Sequence, residues 1–246
     1  MSVPGLALLE HSCGAPSQDL AMDEALLDAC DAGEGGEVLR FWEPRVPFIV
    51  LGHSNLRARE VRLERCEADG VPVLRRCSGG GTVVQIPGVL NYSLVLRIPG
   101  SGPLATIPGA NREIMGRICR ALAALPGLSG QLSVRGTTDL CLGERKVMGN
   151  AQRRKREALL FHGSILLSAD LSLIDRWLEF PSRVPDYRGG RGHGEFCTNL
   201  GVPAALVRDG FCAEWGAGKG RVQLPEARLR SLMESRYSLG AWHAKF

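Results

Sequence analysis

Three glycines in succession, Gly79–Gly81, stand between a pair of arginines and a β-branched run in Arg75-Arg76-Cys77-Ser78-Gly79-Gly80-Gly81-Thr82-Val83-Val84. Without Cβ atoms this stretch exposes bare backbone N–H groups against which a ligand can lie. The glycines lead into residues of strand character and not into a helix, which excludes a dinucleotide-binding fingerprint. No Gly-Lys-Ser/Thr follows, which excludes a Walker P-loop. A tight turn is the plain reading of the glycines alone. Arg75 and Arg76 beside them add fixed positive charge and point to an anionic ligand.

A second segment supplies a second cation. In Asp139-Leu140-Cys141-Leu142-Gly143-Glu144-Arg145-Lys146-Val147-Met148-Gly149-Asn150-Ala151, Lys146 lies in an apolar, strand-like stretch with Gly149 and Ala151 nearby. Small neighbours let a lysine reach a phosphate or carboxylate closely and stabilise charge developing on a phosphoryl or acyl oxygen. Asp139 lies across a hairpin expected to turn at Gly143-Glu144. It is placed to orient Lys146 or to hold Mg²⁺; a strand-edge aspartate is the plain alternative. His162 precedes Gly163, which allows close backbone approach. Asn91 occupies a strand position where asparagine is disfavoured, fitting a pocket contact or a hairpin end.

Composition narrows the class. At 246 residues and 44% hydrophobic content the chain has material for a sizeable core. It reads as one continuous α/β domain over 1–246, with a C-terminal helical part from about 203 to 246. The net charge of +4 does not imply nucleic-acid binding. No apolar run is long enough for a transmembrane helix. Met1–Leu6 lacks the start of a signal peptide. Eight cysteines are scattered without a Cys-x-x-Cys, which argues for a reduced, cytoplasmic chain and against zinc. The block Arg153-Arg154-Lys155-Arg156 reads as a solvated hairpin tip or as a docking patch for an acidic partner.

The pattern predicts a helix over Asp19–Cys30 capped by Ser17, and strands at Val38–Trp42 and Phe48–Leu51. A helix over Arg57–Ala68 ends at Gly70. A strand at Val71–Arg76 leads into the glycine loop. Thr82–Gln85 and Leu90–Arg97 form a hairpin around Pro87-Gly88, followed by a helix over Ala110–Leu125. Strands at Ser133–Leu142, Arg145–Gln152 and Ala158–Leu167 build the central sheet. Helices at Leu171–Leu178, Pro203–Trp215 and Pro225–Tyr237 follow, the last two with an early proline. Between them, Phe180–Glu195 is a long loop rich in Pro, Gly and Arg.

The combined motifs resemble the lipoate–protein ligase A family, of the biotin/lipoate ligase catalytic-domain superfamily, in a short form without the C-terminal accessory domain. The matching segments are RRCSGGGTVVQIPGVLNYSL (75–94), TTDLCLGERKVMGNAQRR (137–154) and FHGSILLSADL (161–171). LAMDEALL (20–27), the VLG of 50–52 and PSRVPDYRGGRGHGEFCTNL (181–200) also fit. Biotin ligases match less well, because their Gly-Arg-Gly-Arg type of loop is absent. The resemblance implies a mixed, largely antiparallel sheet flanked by helices, an α/β fold of α+β type similar to class II aminoacyl-tRNA synthetase cores.

The resemblance implies a two-step reaction. Lipoate or octanoate attacks ATP to give acyl-AMP, such as lipoyl-AMP, and a lysine of a lipoyl domain then takes the acyl group as an amide. ATP, Mg²⁺ and lipoate are the implied ligands. The acceptor is a 2-oxoacid dehydrogenase E2, a glycine cleavage H protein or a similar lipoyl protein, and a separate accessory subunit is a further implied partner. By position, Lys146 is the catalytic residue. Arg76, Ser78, Gly79, Gly80 and Gly81 contact the acyl-adenylate, with Val83 against the acyl chain. Asp139 lies near adenylate and metal, His162 and Ser164 line the pocket, and Gly149 lets backbone approach the ligand. Gln85, Asn91 and Thr138 complete the implied contacts, although Gln85 stands where the family often has histidine and Thr138 where it often has asparagine. Met148 replaces a common serine. Two other readings stand beside this one. One is an ATP-independent octanoyltransferase using Cys77 or Cys141 as nucleophile. The other is a non-catalytic lipoate- or lipoyl-domain-binding protein.

Overall fold

The computed structural model describes residues 6–218, 220 and 222–246. Residues 1–5, on which the signal-peptide reading rests, and position 219 in the Gly216–Gly220 stretch lie outside that set. In chain order the elements begin with β1 (Ala7–Glu10), α1 (Pro16–Asp31), β2 (Val38–Trp42), β3 (Phe48–Leu51), α2 (Arg57–Glu60) and α3 (Leu63–Ala68). Then come β4 (Val73–Arg75), β5 (Val83–Gln85), β6 (Val89–Arg97), α4 (Ile107–Ala123), β7 (Leu132–Arg135), β8 (Asp139–Leu142), β9 (Arg145–Arg154) and β10 (Ala158–Leu166). The chain closes with α5 (Ser172–Trp177), α6 (His193–Phe196), α7 (Ala204–Trp215), α8 (Glu226–Leu232), a π-helical turn at Met233–Tyr237 and α9 (Gly240–His243).

Seven strands form one sheet in the order β1-β2-β6-β10-β9-β8-β7, and β4-β3-β5 form a second. Among the described residues of the large sheet, only β1 and β2 pair in parallel. This is the mixed, largely antiparallel sheet flanked by helices that the resemblance implied. Side chains alternate along β6 and β10. Leu90, Tyr92, Leu94, Leu159, Phe161 and Ile165 bury against α4 and α7, where Phe211 meets Phe41, Tyr92 and Trp215 edge-on or stacked. The opposite face carries Val95 and Leu160 against Met22, Leu26 and Leu27 of α1. That face also carries Asn91, His162 and Ser164, because the β6–β10 register sets Ser164 opposite Asn91.

Several local expectations give way to tertiary structure. α1 begins at Pro16 with Ala15 as its cap, so Ser17 is already helical and caps nothing. The stretch 57–68 is two helices, because buried Val61 is extended and bridges Leu178. The strand before the glycine loop is confined to Val73–Arg75. Ser133–Leu142 is two strands, divided by a turn at Gly136 with φ +56°. β5 and β6 are not a hairpin: β5 pairs with β3, whereas β6 lies between β2 and β10. The chain crosses between sheets at Gly88, where φ is +90° and a Cβ would stand 2.7 Å from the backbone of Ser168 and Ala169. The basic block is partly tied down. Arg154 donates to the carbonyls of Leu104 and Ala105, and Lys155 pairs with Asp28.

Candidate active site

Lys146 owes its direction to an irregularity between β8 and β9. Cys141 pairs with Lys146 but Leu140 pairs with Met148, so Val147 is an extra residue on β9. A bulge of this kind reverses the alternation of side chains beyond it. Val147 and Met148 both enter the core, and Lys146 comes to share a face with Gly149. Its Nζ is 2.7 Å from Asp139 Oδ1. Gly149 differs in part from expectation. It lines the cavities, but a Cβ there would lie 2.9 Å from Lys146 Cε and Nζ. Its bareness makes room for the lysine itself.

The glycine loop is organised by the arginines that precede it. Arg76 is buried and donates to Ser78 Oγ (3.0 Å), to Gly81 O (2.8 Å) and to Gly79 O. Gly80 has φ +87°, and a Cβ there would meet Arg76 Nη2 at 2.9 Å, so this position requires glycine. At Gly79 and Gly81 a Cβ would meet nothing within 4 Å, so both border open space. Arg75 is fully buried, and its guanidinium donates to five carbonyls, those of Gly52, His53, Asn55, Trp242 and His243. Neither arginine has a carboxylate partner among the described residues. Burial lowers both guanidinium pKa values, that of Arg76 to about 10. The Arg76 charge therefore sits beneath the bare loop with no carboxylate partner among the described residues, an arrangement that favours an anion, whereas Arg75 is held among the carbonyls of Gly52, His53, Asn55 and the C-terminal segment.

A polar network forms the floor. Arg40, fully buried, is paired with Asp19 and Asp23 of α1. Burial raises the Asp23 carboxyl, but Arg40 and His162 outweigh it and hold the group below its ordinary value. Asp23 Oδ2 can only accept, so His162 Nδ1 donates to it at 3.3 Å. In the neutral ring, Nε2 then accepts from Ser78 Oγ at 2.6 Å. Ser78 is completely buried, so its expected contact with ligand is replaced by support of His162 and Arg76. Gln85, Asn91 and Ser164 close a second network among themselves at 2.7–2.8 Å.

These walls enclose two adjoining cavities. One, of about 130 Å³, has Leu20, Trp42, Val50 and Val83 as its apolar wall, with Arg76, Gln85, Asn91, His162 and Ser164 on the polar side. The other, of about 320 Å³, opens between Gly80, Thr138 and the loop carrying Pro181, Arg183 and Arg188. Gly81, Val83, Asp139, Lys146, Gly149 and Ser164 border both, so Lys146 stands at the junction. Of the candidate residues, only Ser78 and Gly79 line neither cavity.

The residues present do not fit a resident metal ion. Asp139 Oδ1 is taken by Lys146 and Oδ2 by the Tyr187 hydroxyl at 2.7 Å. No group of three or more His, Cys, Asp or Glu suited to a metal occurs among the described residues. The two thiols that the sequence offers as nucleophiles do not reach the site. Cys77 and Cys141 are buried and line neither cavity. Burial pushes the thiol pKa of Cys77 and Cys141 up, and that of Cys197, which does line the larger cavity, likewise. Sequence reasoning missed Asp23, Arg40, Asn150 and Tyr187. An aspartate pair four apart on a helix, opposite an arginine inside an apolar strand, was the available signal for the first two. Asn150 accepts from Tyr92 and donates to Thr138 O, and Gly163 makes room for it.

Residues 15–202 match the family model of the lipoyl protein ligase A/B catalytic domain. The octanoyltransferase LipM of Carboxydothermus hydrogenoformans is 27% identical over 97% of this chain and 98% of that protein. Lipoate-protein ligase A subunit 1 of Thermoplasma acidophilum is 29% identical over 72% of this chain and 68% of its own length. A solved structure of the bipartite lipoate protein ligase of T. acidophilum, studied with its E2 lipoyl domain, superposes with a TM-score of 0.79 at 25% identity, covering 98% of this chain and 96% of that one. The chain belongs to the lipoyl protein ligase A/B catalytic-domain family and is an enzyme of the lipoate ligase and octanoyltransferase group.

Proposed function

We propose that this enzyme is an ATP-dependent lipoate–protein ligase. The smaller cavity takes the acyl chain of lipoate or octanoate, where each buried CH₂ contributes about 0.8 kcal/mol. The larger one takes ATP as substrate. The observation that carries this reading is the position of Lys146 at the junction of the two cavities, across from the glycine loop and the Arg76 guanidinium buried beneath it. A carboxylate and a triphosphate repel, and a fixed ammonium between them offsets that repulsion and steadies the charge that develops at the α-phosphate.

In the first step a carboxylate oxygen attacks the α-phosphorus, the bond to the β-phosphate oxygen breaks, and pyrophosphate leaves. Asp139 holds Lys146 toward the reacting oxygens. In the second step the amine of an acceptor lysine, carried by a lipoyl domain, attacks the acyl carbonyl and AMP departs. Val83 and the networks around Gln85 and His162 shape the acyl site; Thr138 faces the nucleotide side. The assay supplies lipoate, MgATP and an apo lipoyl domain and follows lipoyl transfer. Transfer that needs ATP and fails in Lys146→Ala is the expected result.

The second reading is an octanoyltransferase, favoured by the relatives named LipM that match nearly the whole chain. Its nucleophile would be a cysteine, and Cys197 is the thiol that borders the same cavity as Lys146. Octanoyl transfer from a carrier thioester without ATP, lost in Cys197→Ser or Cys141→Ser, would replace the ligase reading with this one.

A further inference from the structure

Tyr187 belongs to a short 3-10 turn, Asp186–Arg188, in the loop joining α5 to α6. Its hydroxyl reaches Asp139 Oδ2 at 2.7 Å, and Asp139 Oδ1 holds Lys146 at 2.7 Å. A carboxylate only accepts, so Tyr187 is the donor. Burial and the charge of Asp139 push the phenol well above its ordinary value and keep it protonated. The Cys141 thiol backs the same hydroxyl from 3.7 Å. The Tyr187 ring rests against Phe196 with centroids 5.3 Å apart, and Arg191 donates to the Tyr187 carbonyl at 2.8 Å. The neighbouring Arg188 is stacked between Phe180 and Phe196, 4.7 Å from each ring, and lines the larger cavity. The loop is thus seated by aromatic and cation–π contacts, and among the described residues the Tyr187 hydroxyl makes its one hydrogen bond to the Asp139–Lys146 pair.

We infer that Tyr187 is a positioning residue for Lys146, acting through Asp139, so that seating of the loop aims the lysine at its anions. The chemistry of this inference rests on the ligase reading; its geometry does not. A carboxylate bonded through one oxygen can turn about its terminal torsion, which is a soft one. Bonded through both, it presents a fixed oxygen to a lysine whose four-carbon stem is otherwise flexible. Cys141 then has a supporting role behind the tyrosine and needs no reactivity of its own.

The test is a double-mutant cycle on Tyr187→Phe and Asp139→Asn, since Phe keeps the ring and removes only the hydroxyl. The first readout is acetylation of Lys146 by acetic anhydride, mapped by peptide mass spectrometry, which requires no substrate. Tyr187→Phe is expected to raise the labelling rate about threefold, with no further gain in the Asp139→Asn background. An unchanged rate in Tyr187→Phe, or effects that multiply in the double mutant, would overturn the inference. The second readout is adenylation of lipoate. Tyr187→Phe should lower kcat about tenfold with KM for lipoate unchanged. A higher KM at unchanged kcat would also overturn it. Wild-type protein that forms no acyl-AMP would sink the ligase reading alone, because the labelling cycle still decides the role of Tyr187.

Discussion

At the scale of single residues, the site is built by groups that make room for or hold one another. Gly149 shows this most directly. Gly149→Ala introduces a Cβ within 2.9 Å of the Lys146 side chain, and the neighbour that must yield is the lysine. We expect at least a roughly tenfold loss of acylation rate with a small change in thermal midpoint, because the far end of a flexible side chain moves at little cost to the fold. Kinetics on a variant checked by calorimetry decide it, and full activity would contradict the role assigned to Gly149. The types and order of Gly79–Gly81, Asp139, Lys146 and His162 were legible in the chain. The direction of their hydrogen bonds was not. Arg75 and Arg76 read as ligand-facing charges, but their donors are spent on backbone carbonyls and Ser78, a use that emerges only once β3, the glycine loop and the C-terminal segment are packed together.

At the scale of elements, α1 and β2 are joined by the buried Arg40–Asp19–Asp23 cluster, from which His162 is held. Arg40→Met leaves two buried carboxylates without their cation, which typically costs about 3–5 kcal/mol. Denaturant unfolding should show that loss. The Asp19→Asn/Asp23→Asn/Arg40→Met triple variant should recover much of it, because no charge is then left unpaired. Strand positions in β2, β3, β9 and β10 were readable from their apolar and β-branched runs. Pairing was harder. Pro87-Gly88 looks like a hairpin turn, yet the same residues let the chain pass from one sheet to the other. β1 was not seen because four residues with a single polar end carry too little periodicity. The extra residue at Val147 leaves no mark in the sequence, since a bulge is a property of two strands paired and not of one.

At the scale of the whole molecule, the C-terminal segment closes over the glycine-loop side. Trp242 Nε1 donates to Arg75 O, and the Arg75 N–H donates to His243 Nδ1. Tyr237 and Arg236 reach Glu24 of α1. Burial lowers the pKa of His243 and also that of His193. The unfolded chain therefore binds protons at these rings more readily than the folded one. Their contribution to stability is intact above about pH 6.5, the ordinary histidine value, and is lost progressively as pH falls toward their lower folded values. Asp23, whose folded value is depressed, adds a further loss at more acid pH. Thermal midpoints should be flat from pH 8 to 7 and fall by pH 5, and the histidine part of that fall should shrink in His193→Gln/His243→Gln. A midpoint that rises on acidification would contradict this. The central step of the proposed reaction is Lys146 placing a carboxylate against the α-phosphate. Lipoate-dependent exchange of labelled pyrophosphate into ATP measures that step alone, with no acceptor protein present. We predict exchange by the wild-type chain and none by Lys146→Ala of unchanged thermal midpoint. Exchange of equal rate in the variant, or acyl transfer from a carrier thioester with no exchange at all, would contradict it.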